Sequence, residues 1–204
     1  MVTYFDIECV ARDDVPEDCL PRYKPHAGIK DYDKQLAREK EFNYKSKNKL
    51  ALDPWTTKIV CIQMLREDDE WAGYTGDKEI SCLKMFWEVA RDDEFLGGFN
   101  IIGYDLPVIL VRSMIHNIKP VRKFRLNKYN HNVEDVMYRL CNGDLPKAKS
   151  LDYYVMMLGI GKKTLKGEEV ESLYKDGKWD VIEEYCKKDV ELTKALALKT
   201  QAYF

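Results

Sequence analysis

The chain has 204 residues, of which 45% are hydrophobic and 33% are charged, and its formal net charge is −2. That length suits one α/β domain over residues 1–204, and no stretch is apolar enough to span a bilayer. The N-terminus shows no secretion signal, and six scattered cysteines form no Cys-x-x-Cys pair. We therefore expect an intracellular protein of the cytoplasm, nucleoid or nucleus, with reduced, mostly buried thiols and no membrane partner.

The first predicted element is a strand at residues 2–10, where β-branched and aromatic residues dominate and alternate with a period of two. Asp6 and Glu8 then share one face, while Phe5 and Ile7 point to the opposite, buried face. The Cα atoms of the two acids would lie roughly 6.5 to 7 Å apart, so both carboxylates can reach metal ions spaced about 3.5 to 4 Å apart. The pattern is weak alone, because any exposed strand can carry two acids.

A long segment at about residues 11–55 then separates the first strand from the second by more than a hairpin requires. Within it, residues 22–49 carry nine bases against four acids and include aromatic side chains such as Tyr44. Basic and aromatic residues together suit single-stranded nucleic acid, where a stacked base contributes about 1 to 3 kcal/mol. We expect an inserted flap that covers the end of a bound strand; a protein-docking surface and a packed surface helix remain alternatives.

The remaining elements are predicted from periodicity and from turn residues. They are strands near 58–65, 71–75 and 95–99, helices near 78–92, 105–117, 134–141, 150–159 and 178–200, and a short strand or turn near 133. Asp135 and Asp152 are expected to cap helices and not to bind metal.

Charge is distributed unevenly between two of these regions. Residues 66–94 carry ten acids against four bases, whereas residues 106–133 contain no acid. The bases of the second region are Arg112, Lys119, Arg122, Lys123, Arg125 and Lys128. This segregation predicts a basic substrate side and an acidic back, with a solvated basic loop as the alternative.

A second acidic pattern begins at Asn100 and ends in the pair Tyr104 and Asp105, where a buried strand turns into a helix. Pro107 suits the first turn of that helix, because its missing N–H has no intrahelical partner there. Asp105 is therefore a candidate for the helix N-cap or its neighbour. The same corner also suits a ligand, since open α/β sheets bind ligands beyond the carboxyl ends of their strands.

A third pattern places Tyr185 and Asp189 four residues apart in an amphipathic segment. On a helix, that spacing puts both side chains on one face about one turn apart. A core tyrosine beside a solvated aspartate is the alternative, and the order of all three patterns along the chain is what favours a shared site.

Together the three patterns resemble the DEDD superfamily of 3′-to-5′ exonucleases, and above all the proofreading domains of family-B DNA polymerases and their stand-alone relatives. The residues that match the family motifs are, in chain order, Asp6 and Glu8; Asn100, Tyr104 and Asp105; and Tyr185 and Asp189. One subdivision has a histidine five residues before the last aspartate, but Glu184 stands there, so the tyrosine subdivision fits. The resemblance implies a ribonuclease H-like α/β fold with a central mixed sheet flanked by helices.

The resemblance also implies removal of nucleotides from the 3′ ends of single-stranded or frayed DNA by two-metal hydrolysis. Asp6, Glu8, Asp105 and Asp189 are the implied ligands of two Mg²⁺ ions, for which Mn²⁺ can substitute. Tyr185 is assigned to orienting the attacking water, because an ordinary phenol with a pKa of about 10 is protonated at neutral pH.

The implied partner is the 3′ end of single-stranded DNA, with a polymerase or repair protein as a further partner. Tyr104 and Tyr44 are candidate substrate contacts, and Asn100 either contacts the substrate or braces its turn. Two alternatives to a DNA exonuclease stay open. One is a 3′-to-5′ exoribonuclease, and the other is a non-catalytic nucleic-acid-binding or polymerase-docking module.

Overall fold

The computed structural model describes residues 1–25, 28, 31–124 and 132–204. The strands are β1 (Val2–Ala11), β2 (Thr57–Arg66), β3 (Trp71–Thr75), β4 (Phe95–Gly98) and β5 (Val133–Asp135). The helices are α1 (Tyr32–Leu50), α2 (Glu79–Asp92), α3 (Asp105–Ile115), α4 (Val136–Leu140), α5 (Leu151–Met157), α6 (Val170–Lys175) and α7 (Trp179–Thr200). Short 3₁₀ turns lie at Glu17–Cys19, Leu145–Lys147 and Gly167–Glu169.

The five strands form one mixed sheet in the order β3-β2-β1-β4-β5. Strand β2 is antiparallel to both β1 and β3, while β4 is parallel to both β1 and β5. The first strand is therefore central. The pairing register of β1 and β2 shifts between Glu8 and Cys9, which places a bulge beside the second acid. The expected central mixed sheet flanked by helices is confirmed.

Alternation along β1 sends its side chains to two different cores. Phe5 and Ile7 are buried with residues of α2 and α3, and the rings of Phe5 and Phe86 meet edge to face at 5.2 Å. Burying a side chain such as Phe5 stabilises the fold by about 1.5 to 3 kcal/mol. Tyr4 packs on the other face with residues of α5 and α7. Asp6 and Glu8 share that face, because they occupy the same alternating set.

Helix α7 covers this second face of the sheet. Its buried residues include Ile182, Tyr185, Cys186, Val190 and Leu196, which recur at the spacing of one helical face. The amphipathic helix predicted near 178–200 is thus confirmed, and Asp189 lies in the middle of its buried face.

The buried Arg112 corrects the expected basic substrate side. Its guanidinium donates two hydrogen bonds, of 2.8 and 2.7 Å, to Glu79 at the start of α2, so it serves a buried ion pair. Arg122 donates to the backbone carbonyls of Asp93 and Glu94. The prediction failed for these two residues because a buried carboxylate and orphan carbonyls need donors. Arg125 and Lys128 lie outside the described residues.

Helix α1 fills much of the long segment between β1 and β2. Asp31 is its N-cap, and the Asp31 side chain accepts a hydrogen bond from the Lys34 backbone N–H. None of the described side chains of α1 is buried, so the helix lies on the surface. Throughout the described part of the chain, no helix is both long enough and apolar enough to cross a membrane.

Candidate active site

A cavity of about 620 Å³ opens where β1, α7 and the segment before α6 meet. Asp6 and Glu8 reach it from β1, and Tyr185 and Asp189 reach it from α7. These four side chains come from distant parts of the chain. They meet because α7 packs on the face of β1 that carries the acids. The structure therefore brings the first and third sequence patterns together.

Asp105 lies next to this group and not in the cavity lining. It is the first residue of α3 and is 4% exposed. Burial raises the pKa of Asp105 well above its usual range, and the negative charge of Asp6 raises it further. The N-cap itself is Tyr104, so Asp105 occupies the neighbouring helical position that the sequence left open.

The carboxylates shift one another's proton affinity. Burial raises the pKa of Asp6 to about 7, helped by the charge of Asp189. Burial also raises the pKa of Glu8, with the charge of Asp6 as the next cause. Like charges held together out of water are costly until protons or cations neutralise them. The site is thus built to attract positive charge.

Lys163 supplies one such charge, and the sequence reasoning missed it. Its Nζ contacts Asp189 Oδ2 and lies 5.0 Å from the centre of the Tyr185 ring. Burial alone lowers the pKa of Lys163, but the contact with Asp189 outweighs it and raises that pKa overall. The ammonium is therefore charged at neutral pH.

Asp152 holds the segment that carries Lys163. Its Oδ1 accepts a hydrogen bond of 2.8 Å from the backbone N–H of Lys163. The expectation that Asp152 caps its helix was wrong, because Ser150 is the N-cap of α5 and Asp152 lies in the first turn. The sequence signal for this arrangement is Gly159, which follows the end of α5 with a φ of 63° and lets the chain turn before Lys163.

The oxygen atoms of the site fit a divalent cation. Asp189 is 3% exposed, and its Oδ1 has no hydrogen-bond partner among the described residues. One ligand atom each from Asp6, Glu8 and Cys186 lies within 4.8 Å of the other two. Mg²⁺ and Mn²⁺ favour carboxylate oxygens as ligands. A buried carboxylate oxygen that accepts no hydrogen bond can be satisfied by a bound cation instead.

Tyr185 is 2% exposed. Burial raises its pKa above the ordinary range, and the charge of Glu8 raises it further. The phenol is therefore neutral at physiological pH, so it can donate a hydrogen bond but cannot serve as a base.

Asn100 occupies a turn held by Asp135. Asn100 has a φ of 62°, and its backbone N–H donates to Asp135 Oδ1 at 3.0 Å. The Ile102 N–H donates to Oδ2 of the same carboxylate, which also caps α4 as expected. A Cβ at Gly103 would overlap Asn100 Oδ1. Asn100 is not part of the cavity lining, and this geometry favours the bracing role over substrate contact.

Tyr104 joins this turn to the end of α1. Its hydroxyl donates a 2.7 Å hydrogen bond to the carbonyl of Ala51, just beyond α1. Tyr104, Ala51 and Leu52 all line the cavity. Tyr44 belongs to α1, but its side chain lies outside the described residues. The inserted segment therefore reaches the site through residues 51 and 52.

Comparisons with known proteins identify a family and a similar fold. A protein-family model described as a predicted 3′-5′ exonuclease related to the exonuclease domain of PolB matches residues 56–203. That match contains the second and third patterns and begins after Asp6 and Glu8. The fold is similar to the structure of the family B DNA polymerase from the hyperthermophilic archaeon Pyrobaculum calidifontis, with a TM-score of 0.65 and 20% identity. No curated protein matched the chain.

The similarity to the polymerase covers 98% of this chain and 24% of the polymerase chain. It confirms the ribonuclease H-like α/β fold that the motifs implied. The fold is a mixed α/β sheet flanked by helices, with a carboxylate-lined cavity between β1 and α7. The chain belongs to the family of predicted 3′-5′ exonucleases related to the exonuclease domain of PolB.

Proposed function

We propose that this protein is a divalent-metal-dependent exonuclease that removes nucleotides from the 3′ end of single-stranded or frayed DNA. The observation that carries the proposal is the convergence of Asp6, Glu8, Tyr185 and Asp189 on one cavity, with Asp105 beside Asp6. The family match supports the same reaction, since its description is that of a 3′-5′ exonuclease.

Asp6, Glu8 and Asp189 are the proposed metal-binding residues, and Asp105, whose carboxyl is close enough to be influenced by the charge of Asp6, would support a second ion. When bound there, divalent cations would activate a water molecule as the nucleophile and stabilise the leaving 3′ oxygen. Mg²⁺ is the proposed ion, because all-carboxylate ligation suits it, and Mn²⁺ is proposed as a substitute.

Tyr185 and Lys163 have separate proposed tasks in the reaction. The neutral Tyr185 phenol donates a hydrogen bond that orients the attacking water. The Lys163 ammonium stabilises the negative charge that builds up on the phosphate oxygens. Its contact with Asp189 keeps this charge at the cavity before substrate binds.

The cavity dimensions suit the end of a strand. A volume of about 620 Å³ is typical of a pocket that encloses a ligand the size of one nucleotide. Leu52, which is 64% exposed, lines the rim next to Tyr104 and offers an apolar surface to the terminal base. A base-paired duplex end must fray before its terminal nucleotide can enter such a pocket.

The test is digestion of 5′-labelled single-stranded DNA, duplex DNA and RNA with Mg²⁺, with Mn²⁺ and with chelator. We expect a ladder that shortens from the 3′ end of DNA, and no products with chelator or with Asp189→Ala. Preferential shortening of RNA would reassign the substrate to RNA. Cleavage within a circular strand would identify an endonuclease, and binding without any cleavage would identify a non-catalytic module.

A further inference from the structure

Helix α1 has a composition that packing within the chain does not explain. It is 19 residues long, and no described side chain on it is buried. A helix that is polar all round needs charge pairs or a partner to be useful, because it buries little apolar surface. Its sequence carries six bases and three acids, although the whole chain has a net charge of −2.

Four of the six bases lie on one side of the helix. At 3.6 residues per turn, positions 34, 38, 45 and 49 fall within about 60° of one another around the helix axis. The residues are Lys34, Arg38, Lys45 and Lys49, which we call the basic stripe. Lys34, Arg38 and Lys49 are exposed; the side chain of Lys34 is 76% exposed and pairs with Asp31 at 3.8 Å. The other two bases, Lys40 and Lys47, lie roughly 220° to 240° around the axis from Lys34.

The stripe lies beside the side on which α1 packs. Phe42, which lies about 20° around the helix axis from Lys49, packs against Tyr23 with ring centres 5.6 Å apart and ring planes inclined at 54°. This contact and the hydrogen bond from Tyr104 to Ala51 fix the helix at its middle and at its end. The orientation of the stripe is therefore set before any partner arrives.

The stripe also leads to the cavity. Lys49 stands two residues before Ala51, which lines the cavity together with Leu52. The lining from α6 and the turn before it has mixed charge, with Glu168, Glu171 and Lys175, and Lys175 pairs with Glu171. The exposed bases of the stripe attract a polyanion that leaves the cavity toward the α1 side.

We propose that the basic stripe binds the phosphates of the single strand whose 3′ end occupies the cavity. The proposal rests on the proposed exonuclease function and adds the path of the strand. The helix is about 28 Å long, so the stripe can contact several consecutive phosphates upstream of the terminal nucleotide. Such contacts release counterions and make binding depend on salt.

The test compares two pairs of substitutions in the full chain. The stripe pair is Lys34→Gln with Lys49→Gln, and the matched pair is Lys40→Gln with Lys47→Gln. Both remove two charges from the same helix and exchange the same residue types. Binding of a fluorescent single strand of about 12 nucleotides is measured over a range of salt, in an Asp189→Asn background that prevents cleavage.

We expect the stripe pair to weaken binding on the order of 10-fold at 0.1 M salt and to reduce the slope of log affinity against log salt by about 1.4. The matched pair should leave both quantities near the parent values. Equal effects of the two pairs would overturn the stripe in favour of net charge alone. No effect of the stripe pair would overturn it in favour of another role for α1, such as docking of a protein.

Failure of the exonuclease proposal gives a different result. A parent protein that shortens no strand refutes the nuclease, while the binding measurement still decides whether the stripe contacts nucleic acid. In an active parent, the ratio of kcat/KM for the long strand to that for a dinucleotide provides a second readout. The stripe pair should lower this ratio, because a dinucleotide is too short to reach α1, and an unchanged ratio contradicts the path.

Discussion

Lys163 and Asp189 form an ion pair inside the candidate active site, and the second oxygen of Asp189 has no partner among the described residues. One oxygen of the carboxylate therefore contacts a fixed cation, and the other is left for the metal ion that we propose. Lys163 neutralises part of a strongly acidic cluster without occupying every oxygen of it. The same ion pair therefore lowers the charge repulsion among the acids without metal and keeps a positive charge at the proposed reaction site.

Replacement of Lys163 by Met should lower kcat on the order of 100-fold, because a preorganised charge is lost from the place where negative charge develops. KM should change much less if Lys163 acts mainly in the transition state. Steady-state kinetics on a short single strand measure both. Lys162→Met is the matched control, since Lys162 is its exposed neighbour, and a comparable fall in kcat in that variant would remove the special role of Lys163.

Magnesium should stabilise the folded protein through the carboxylate cluster. A ligand that binds only the folded state at 100 times its dissociation constant adds about 2.7 kcal/mol to the free energy of unfolding. We expect Tm to rise with Mg²⁺ in the parent and to rise much less in Asp6→Ala. Asp180→Asn, an exposed acid on α7, should respond like the parent. Equal rises in all three proteins would mean that the ions bind elsewhere.

Four of the motif residues could be placed from the sequence because they lie at a regular period in a regular element. Alternation in β1 put Asp6 and Glu8 on one face, and helical spacing put Tyr185 and Asp189 on one face of α7. Lys163 could not be placed in the same way. It lies between elements, and its position depends on the Asp152 hydrogen bond across a non-periodic turn.

Charge counting failed for a related reason. Arg112 of α3 forms a buried ion pair with Glu79 of α2, and no local sequence pattern reveals this pairing. A run of bases in a sequence therefore does not define a basic surface until buried partners are known. For the basic stripe of α1, the side chains that the structure describes, Lys34, Arg38 and Lys49, are exposed and not buried in this way.

The contribution of Asp6 to the stability of the metal-free protein should fall as pH rises from about 4 to 7. The carboxyl of Asp6 has its ordinary pKa of 3.8 when the chain is unfolded and a pKa of about 7 when it is folded, so the folded state binds the proton more tightly. Stability from this group is present at low pH and is lost as pH rises through the folded pKa, by on the order of a few kcal/mol. Urea unfolding at pH 5 and pH 8 with chelator measures the difference.

Asp6→Asn should flatten this dependence, since the amide does not titrate. Other acids contribute in the opposite direction, as Asp14 does beside Arg12, so the informative quantity is the difference between parent and variant. Saturating Mg²⁺ at pH 8 should restore the stability of the parent, because the cation replaces the lost proton. A parent and variant with parallel pH profiles would contradict the raised pKa of Asp6.

Gly103→Ala should disturb the turn that positions Tyr104 and Asp105. The new Cβ would overlap the Asn100 side chain and lower the free energy of unfolding by about 1 to 3 kcal/mol. The substitution should also lower the exonuclease rate, because it would displace Asp105. Asn100→Gly removes the three nearest atoms to that Cβ and tolerates the φ of 62° at position 100. The double variant should therefore be more stable than the sum of the single changes predicts. Urea unfolding of the four proteins measures this coupling, and strict additivity would show that the Asn100 side chain does not brace the turn.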